Sequence, residues 1–340
     1  MRKLMKQTEF YLALVIILLS LVITAYNPRF LTAENIFDLL KSFSVMGIMA
    51  VGVLFVLILG GTPDVSFTAI AQVAEYVVMI MALKWGGNIL LAFLAACAIG
   101  ALMGRLNGYL VHLFRVPTII ITIATSNIFF GLLYVFSRGQ VIFVLHPMFR
   151  RFAEIRIGNL VSQHGAQFGL SLMPIIWLLV LIAGWFILRY TRIGRNIYAI
   201  GGNEVAAERV GIPVYRTRLF VFTFVGVLAG IAAIVHASIV QSAIPNSMVG
   251  QELNVIAAVF LGGASVFGGS GTIIGTFLGI MLLAIVNNGL TLLGISSYWY
   301  SIFVGAVIVI SITVSALQRI RQERSRVKVQ VETEGMESLA

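Results

Sequence analysis

The sequence contains a single cysteine, Cys97, which lies in an apolar run. A disulfide framework needs several cysteines, and a Cys/His metal site needs ligands at short spacing. The histidines at 112, 146, 164 and 236 are scattered, so they offer no such spacing. We therefore expect neither a disulfide framework nor a metal site.

Charged residues are also few. They make up 11% of the 340 residues, whereas hydrophobic residues make up 59% and the mean hydropathy is +1.01. A soluble domain cannot bury that much apolar surface. The alternating segments typical of an outer-membrane barrel are missing, and apolar runs of about 20 residues recur instead. The sequence predicts an all-α polytopic integral membrane protein with about ten transmembrane helices, at 10–26, 42–60, 65–83, 89–108, 117–136, 172–188, 218–239, 252–268, 271–293 and 297–316.

The net charge of +10 admits two interpretations. Nucleic-acid binding is one, but no RNA- or DNA-binding motif accompanies the charge. The other is the positive-inside rule: if both termini are cytoplasmic, most of the 23 Lys and Arg residues fall on the cytoplasmic side. We prefer the second, and predict a transmembrane domain over 1–317 and a charged cytoplasmic tail over 318–340. The first apolar run is long for a signal peptide and lacks a cleavage site, so we expect it to be retained.

Two glycine pairs hint at an internal repeat. Gly60-Gly61 and Gly262-Gly263 each close an apolar run, and the connections predicted after them, 61–64 and 269–270, are too short for ordinary loops. Such pairs in two halves of a chain indicate discontinuous helices, whose irregular backbone must be buried in protein or line a cavity. The alternative is close helix packing through small residues, as in Gly275-x-x-x-Gly279, and both can hold.

A polar, basic island interrupts the apolar runs at 194–213. Asn203 is a good helix N-cap, Glu204 and Arg209 suit the two ends of a helix dipole, and Gly211 followed by Pro213 ends the segment. These signals predict a short helix at 203–210 between two spans. Such a helix offers a small, flat face to a soluble partner.

This island resembles the cytoplasmic coupling loop of ABC-importer permeases of the ribose-type sugar family. The family pattern is matched at Gly194, Arg195, Tyr198, Ala199, Gly201, Gly202, Asn203, Ala206, Ala207, Gly211 and Ile212. A second family block matches at 261–275, in Leu-Gly-Gly-Ala-Ser-Val-Phe-Gly-Gly-Ser-Gly-Thr-Ile-Ile-Gly. Two long blocks in the right order extend the resemblance over most of the chain.

The resemblance implies a permease subunit that imports a monosaccharide or a similar small hydroxylated solute across the bacterial inner (plasma) membrane. The coupling loop, 189–217, would contact a cytoplasmic ABC ATPase through the matched residues. The other implied partners are a second permease copy or paralogue, a periplasmic or extracellular solute-binding protein, and membrane lipid, but no nucleic acid. The chain needs no cofactor, because ATP would bind to the partner: a Walker A motif is missing here.

Polar groups within the spans are candidates for a translocation path, since such groups are costly in hydrocarbon. Asp64 and Ser66 match the family pattern Gly-Gly-Ile-Asp-Leu-Ser-x-Gly, whereas Thr62, Pro63 and Thr68 depart from it. Gln72 and Glu75 are spaced to share a helix face. The full candidate set is Asp64, Ser66, Gln72, Glu75, Asn127, Asn287 and Asn288. Each of them could instead cap a helix or form a hydrogen bond that only holds two helices together.

Other functions stay open at this point. A branched-chain amino acid ABC permease is one, although the Tyr-Ala-Ile-Gly-Gly-Asn block argues against it. An ion-coupled secondary transporter with Asp64 and Glu75 as its ion site is another. An enzyme is not expected, because no catalytic constellation stands out in the sequence.

Overall fold

The computed structural model describes residues 2–143, 146–161, 167–311, 313 and 317, and it is built almost wholly of α-helices. The predicted tail, 318–340, lies outside the described residues. The helices are α1 (Arg2–Tyr26), α2 (Ala33–Gly60), α3 (Phe67–Trp85), α4 (Ile89–Phe114), α5 (Thr118–Ser137), α6 (Pro147–Glu154), α7 (Leu172–Tyr190), α8 (Arg192–Gly202), α9 (Glu204–Arg209), α10 (Val214–Val240), α11 (Gln251–Leu261), α12 (Ile273–Leu292) and α13 (Tyr298–Ser311).

Eight helices in the described part are long and apolar enough to cross a membrane: α1 to α5, α7, α10 and α12. The fold class is therefore confirmed. The spans predicted at 252–268 and 297–316 correspond to shorter helices, α11 and α13. A small antiparallel hairpin, β1 (Arg156–Val161) with β2 (Gln167–Ser171), was not predicted.

The helix α11 is short because its apolar run continues into a glycine-rich loop. Helix α11 ends at Leu261, and Gly263, Gly268 and Gly269 have positive φ angles of 83°, 85° and 71°. These angles lie in the left-handed region that a helix cannot use. The connection therefore runs over 262–272, and is longer than the predicted connection at 269–270.

Helices α4 and α10 pack backbone to backbone. A Cβ atom on Gly226 would overlap the carbonyl group of Gly100, and one on Gly104 would overlap the carbonyl oxygen of Phe222. Gly230 lies against Ala96 in the same way. Small residues allow this approach between helices, where packing rather than hydrophobic burial favours association in lipid. The two helices therefore form a closely packed pair.

Both interpretations of the second glycine pair hold in the structure. Gly262 ends α11, and a Cβ there would also overlap the carbonyl group of Gly275 on α12. Gly279, one turn further along α12, lies equally close to the carbonyl oxygen of Ala258. The same glycines therefore stop α11 and bring it against α12.

The segment 241–250, between α10 and α11, lies beside α3 without forming a helix. The Gln72 side chain on α3 accepts hydrogen bonds from the Ser247 hydroxyl at 2.9 Å and the Met248 amide at 3.1 Å. About 20 Å of helix separates Gln72 from the end of α3 at Trp85, at 1.5 Å per residue. Segment 241–250 therefore reaches deep into the bundle before α11 begins. The two together form a discontinuous element, whose irregular part precedes α11 and was not predicted, because the glycine pattern predicted a break at Gly262-Gly263.

Gly226 provides a test of the central packing. We expect Gly226→Ala to lower the melting temperature of the purified protein in detergent, because overpacking a core typically costs about 1–3 kcal/mol. Gly131→Ala on α5 is the matched control: both positions are helical, but a Cβ at Gly131 meets nothing within 4 Å. Equal melting temperatures for the two variants would contradict the backbone contact between α4 and α10.

Candidate functional site

Helix α8 begins directly after the span α7. The Thr191 hydroxyl accepts a hydrogen bond from the Gly194 amide at 3.1 Å and so caps α8, while it donates to the Ile187 carbonyl at 2.7 Å. Gly194, Ile197 and Ile200 form the buried face of α8. This apolar face fixes α8 against the bundle and leaves its other side exposed.

The buried side of α8 meets the glycine-rich loop. The Tyr198 hydroxyl donates a hydrogen bond of 2.7 Å to the Gly271 carbonyl. Burial raises the pKa of the Tyr198 phenol above its ordinary value, so it stays protonated and able to donate. The two sequence blocks of the family pattern, far apart in the chain, therefore contact each other directly.

The end of α2 joins the same junction. The Gly269 amide donates a 2.8 Å hydrogen bond to the Ile58 carbonyl, and a Cβ on Gly201 would overlap both the Ile58 carbonyl oxygen and the Gly269 nitrogen. Only glycine fits at position 201 in this arrangement. Three segments, the α8 C-terminus, the α2 C-terminus and loop 262–272, are thus locked together through their backbones.

Helix α9 follows as predicted, and its cap is confirmed. The Asn203 side chain accepts a hydrogen bond from the Ala206 amide at 3.0 Å. The predicted single helix at 203–210 is in fact preceded by a second helix, α8, within the same loop. Gly211, with φ of 82°, then turns the chain into α10.

Helix α9 exposes only one residue of its alanine pair, because Ala206 is exposed and Ala207 is buried. Ala207 is only 4% exposed, whereas Val205 is 59% exposed and Val210 is 76% exposed. An Ala207 side chain that packs inward positions α9 and offers little contact area to a partner. We name the exposed face of these two helices the α8–α9 surface; of the predicted coupling residues, those that are exposed on it are Arg195, Ala199, Gly202, Asn203, Ala206 and Gly211.

A buried polar group orders the turn before α3. One Asp64 carboxylate oxygen accepts hydrogen bonds from the Ser66 amide at 2.7 Å and the Ser66 hydroxyl at 2.6 Å. The Asn107 side chain, from α4, donates to the same hydroxyl at 2.7 Å. Sequence reasoning missed Asn107, although its place between Gly104 and Gly108 in an apolar helix was a signal. The three groups tie the turn to α4.

Further along α3, two polar side chains face the discontinuous element and α10. Gln72 and Glu75 are fully buried. Gln72 binds segment 241–250, and a Glu75 carboxylate oxygen lies 2.9 Å from the Nδ1 atom of His236 on α10. The buried Glu75 carboxyl group thus has an imidazole partner, as expected for an ionisable group that would be costly in hydrocarbon without one. Four of the predicted path residues therefore lie on α3 or in the turn before it: Asp64, Ser66, Gln72 and Glu75.

The other three predicted path residues lie elsewhere. Asn127 is exposed on α5 and donates to the Ile123 carbonyl of its own helix at 2.9 Å. Asn288 on α12 exchanges two hydrogen bonds with Asn35 on α2, at 2.9 and 3.0 Å. Asn287, half-buried, precedes it. The Asn288–Asn35 pair holds two helices together, which is the alternative use expected for such amides.

No group of three or more His, Cys, Asp or Glu side chains that could hold a metal ion occurs among the residues with a described placement. The polar groups of α3 are instead used in pairs, each with a partner on another element.

Comparison with known proteins supplies the family. A family model described as "Branched-chain amino acid transport system / permease component" matches residues 35–312. The ribose import permease protein RbsC of Escherichia coli K12 is 35% identical over 301 residues, which cover 88% of this chain and 91% of the relative. RbsC of Bacillus subtilis 168 is 35% identical over 295 residues, 87% of this chain and 88% of the relative. The autoinducer 2 import system permease protein LsrC of an Enterobacter species is 34% identical over 309 residues, 91% of this chain and 86% of the relative.

No solved structure gives a significant match. The family model nevertheless spans the bundle from the first turn of α2 to just beyond the last residue of α13, and RbsC of Escherichia coli K12 covers 88% of the chain. The chain therefore belongs to this family of transport-system permease components.

Proposed function

We propose that this chain is the membrane-spanning subunit of an ABC importer that brings a monosaccharide or a similar small hydroxylated solute into the cell. The names of the relatives support the solute class, since they include ribose, galactose/methyl galactoside and autoinducer 2 import permeases. The family model is named for branched-chain amino acid transport. The block at 194–212, which matches the sugar permeases, and the names of the relatives favour a sugar over a branched-chain amino acid as the solute.

The α8–α9 surface is the proposed docking site for a cytoplasmic ATPase. One observation carries this assignment: α8 is bound through Tyr198 and Gly201 to the ends of α2 and of loop 262–272, while Val205 on α9 and Val210 directly after it are exposed. An exposed short helix with this attachment to the spans is suited to a protein partner. Motion of that partner would be passed to the spans.

Transport would then proceed by alternating access. Closure of the ATPase subunits on ATP would push on α8 and α9, and the junction at Gly201 would carry the displacement to α2 and α12. The discontinuous element 241–261 lies against α3, and irregular backbone of this kind is where substrate sites of other transporters are built. A solute-binding protein would deliver the solute on the opposite side, and a second permease copy or paralogue would complete the pore.

The distribution of charge supports an orientation. Five arginines lie at or beside the α8–α9 surface: Arg189, Arg192, Arg195, Arg209 and Arg216. By the positive-inside rule, this distribution supports a cytoplasmic position for the surface, on the side where an ATPase and its ATP are found. Both termini would lie on the same side.

The docking site predicts the effect of a charge on α9. We expect Val205→Arg to insert into the membrane normally, because the side chain is exposed, but to lose copurification of the ATPase and solute uptake. An unpaired charge buried in an interface typically costs several kcal/mol, so binding should weaken by about tenfold or more. Val205→Ala is the matched control and should keep most of both. Normal copurification and uptake in Val205→Arg and in Val210→Arg would remove ATPase docking from this surface.

The Glu75–His236 pair predicts how the energy source can be tested. In an ion-coupled carrier this pair would be the coupling site, and Glu75→Gln would abolish accumulation. In an ATP-driven importer the amide can still hydrogen-bond His236, and avoiding a buried charge saves about 2.5–3.5 kcal/mol on insertion scales. We expect Glu75→Gln to retain at least partial ATP-dependent uptake.

The measurement is uptake into vesicles at clamped internal ATP, with and without an ionophore that collapses the proton gradient. Wild-type uptake should continue in the presence of the ionophore. Uptake that stops with the gradient while ATP is constant would favour the secondary-transporter alternative.

A further inference from the structure

Arg218, near the start of α10, joins three helices through one guanidinium group. Its Nη2 atom donates to both carboxylate oxygens of Glu204 on α9, each at 2.9 Å. Its Nη1 atom lies 3.2 Å from the Nδ1 atom of His112 on α4. The His112 ring in turn packs against the ring of Tyr215, with centroids 4.6 Å apart. The guanidinium therefore links α9 to the closely packed pair of α4 and α10.

Helix α9 has little else to hold it. Five of its six side chains are exposed, and Ala207 is the buried one. Within the part of the chain that the structure describes, the Glu204–Arg218 contact is the one side-chain hydrogen bond from α9 to the helix bundle. Helix α8 has separate contacts, to α2 and to loop 262–272. The side-chain hydrogen bonds of the two short helices thus reach different parts of the bundle, although both helices also lie beside α10.

Arg218 and its partner His112 lie on two helices that pack closely. Helices α10 and α4 touch through their backbones at Gly100, Gly104 and Gly226. We therefore expect a displacement of α9 that reaches Arg218 to move α4 and α10 together. Close-packed interiors transmit such shifts because they are not continuously deformable.

The charge pair is less exposed than an ordinary surface pair. The Arg218 side chain is 14% exposed and that of Glu204 is 49% exposed, both Glu204 oxygens are engaged, and charge-assisted contacts to a carboxylate are the stronger class of hydrogen bond. The exposed Arg150–Glu154 pair on α6 provides a contrast, with side chains that are 77% and 59% exposed. Pairs of that kind contribute little, because water and salt screen them.

We infer that Arg218 and Glu204 form a positioning link that carries the motion of α9 into the α4–α10 pair, separately from the α8 junction. The inference rests on the proposed docking of an ATPase at the α8–α9 surface. It assigns to Arg218 a role in coupling and not in partner binding. Loss of the link should leave the ATPase bound but weakly connected to the spans.

The test uses the full transporter, reconstituted with its ATPase and solute-binding protein. In Arg218→Gln, whose side chain lies behind α9, we expect the ATPase to copurify as in the wild type, while solute uptake per ATP hydrolysed falls by about tenfold, within the range of about 5–150-fold typical of coupling between sites. Glu204→Gln breaks the same pair and should lower uptake per ATP by a similar factor. Arg150→Gln is the matched control and should behave as the wild type. The charge exchange E204R/R218E restores an ion pair and should recover much of the lost uptake.

Each outcome decides the inference. Wild-type uptake per ATP in Arg218→Gln, or an exchange variant no better than the single variants, would contradict the link. Loss of ATPase copurification would contradict it too, by making Arg218 part of the docking surface. If Arg218→Gln fails to fold, the comparison of E204R/R218E with Glu204→Gln decides, because both change the same exposed position but only the exchange variant restores an ion pair. Failure of the proposed function is distinguishable: the wild-type chain itself would then not retain an ATPase.

Discussion

The close approach of three backbone segments at Gly201 is the constraint on which the rest of the structure depends. The Gly269 amide must reach the Ile58 carbonyl, and a side chain at position 201 would occupy the space between them. Unpaired amides and carbonyls are costly away from water, so an irregular loop at this place must be buried in protein and hydrogen-bonded. Helix α8 provides that cover. The loop after α11 and the helix after α7 therefore stabilise each other, and neither would keep its conformation without the other.

Elsewhere in the bundle, polar side chains of the spans supply the hydrogen bonds that an irregular segment needs. Segment 241–250 leaves backbone groups without helical partners, and the Gln72 carbonyl oxygen receives two donors from it. Glu75 and His236 then tie α3 to α10 just beyond that contact. Backbone contacts at one end and side-chain pairs at the other thus hold a discontinuous element between rigid helices. An element with this attachment can change position as a unit, which alternating access requires.

Local signals in the sequence predicted local structure well. The Asn203 cap, the helix after it and the long spans were all predicted, because capping chemistry and hydrophobic periodicity act over a few residues. The length of α11 was not, since the apolar residues between Gly262 and Phe267 read as a continued span. Burial of Ala207 could not be predicted either, because a six-residue helix has no periodicity long enough to identify its inner face. Only the structure shows which candidate path residues pair with which partners. Asn288 has its partner, Asn35, far away in the chain. Asn107, which was not a candidate, hydrogen-bonds the Ser66 hydroxyl across a contact between elements. Partners of this kind depend on tertiary packing, which one sequence does not reveal.

The central claim is that the α8–α9 surface contacts an ATPase through the side of α9 that faces away from the bundle. The most direct measurement is a photo-crosslinking scan, with a photoreactive amino acid placed singly at each position from 203 to 211 in the assembled transporter. The account predicts crosslinks to the ATPase from Val205 and Val210, and none from Ala207, whose side chain packs inward. Crosslinks of equal yield from Ala207 and Val205, or none from any position in the scan, would contradict it.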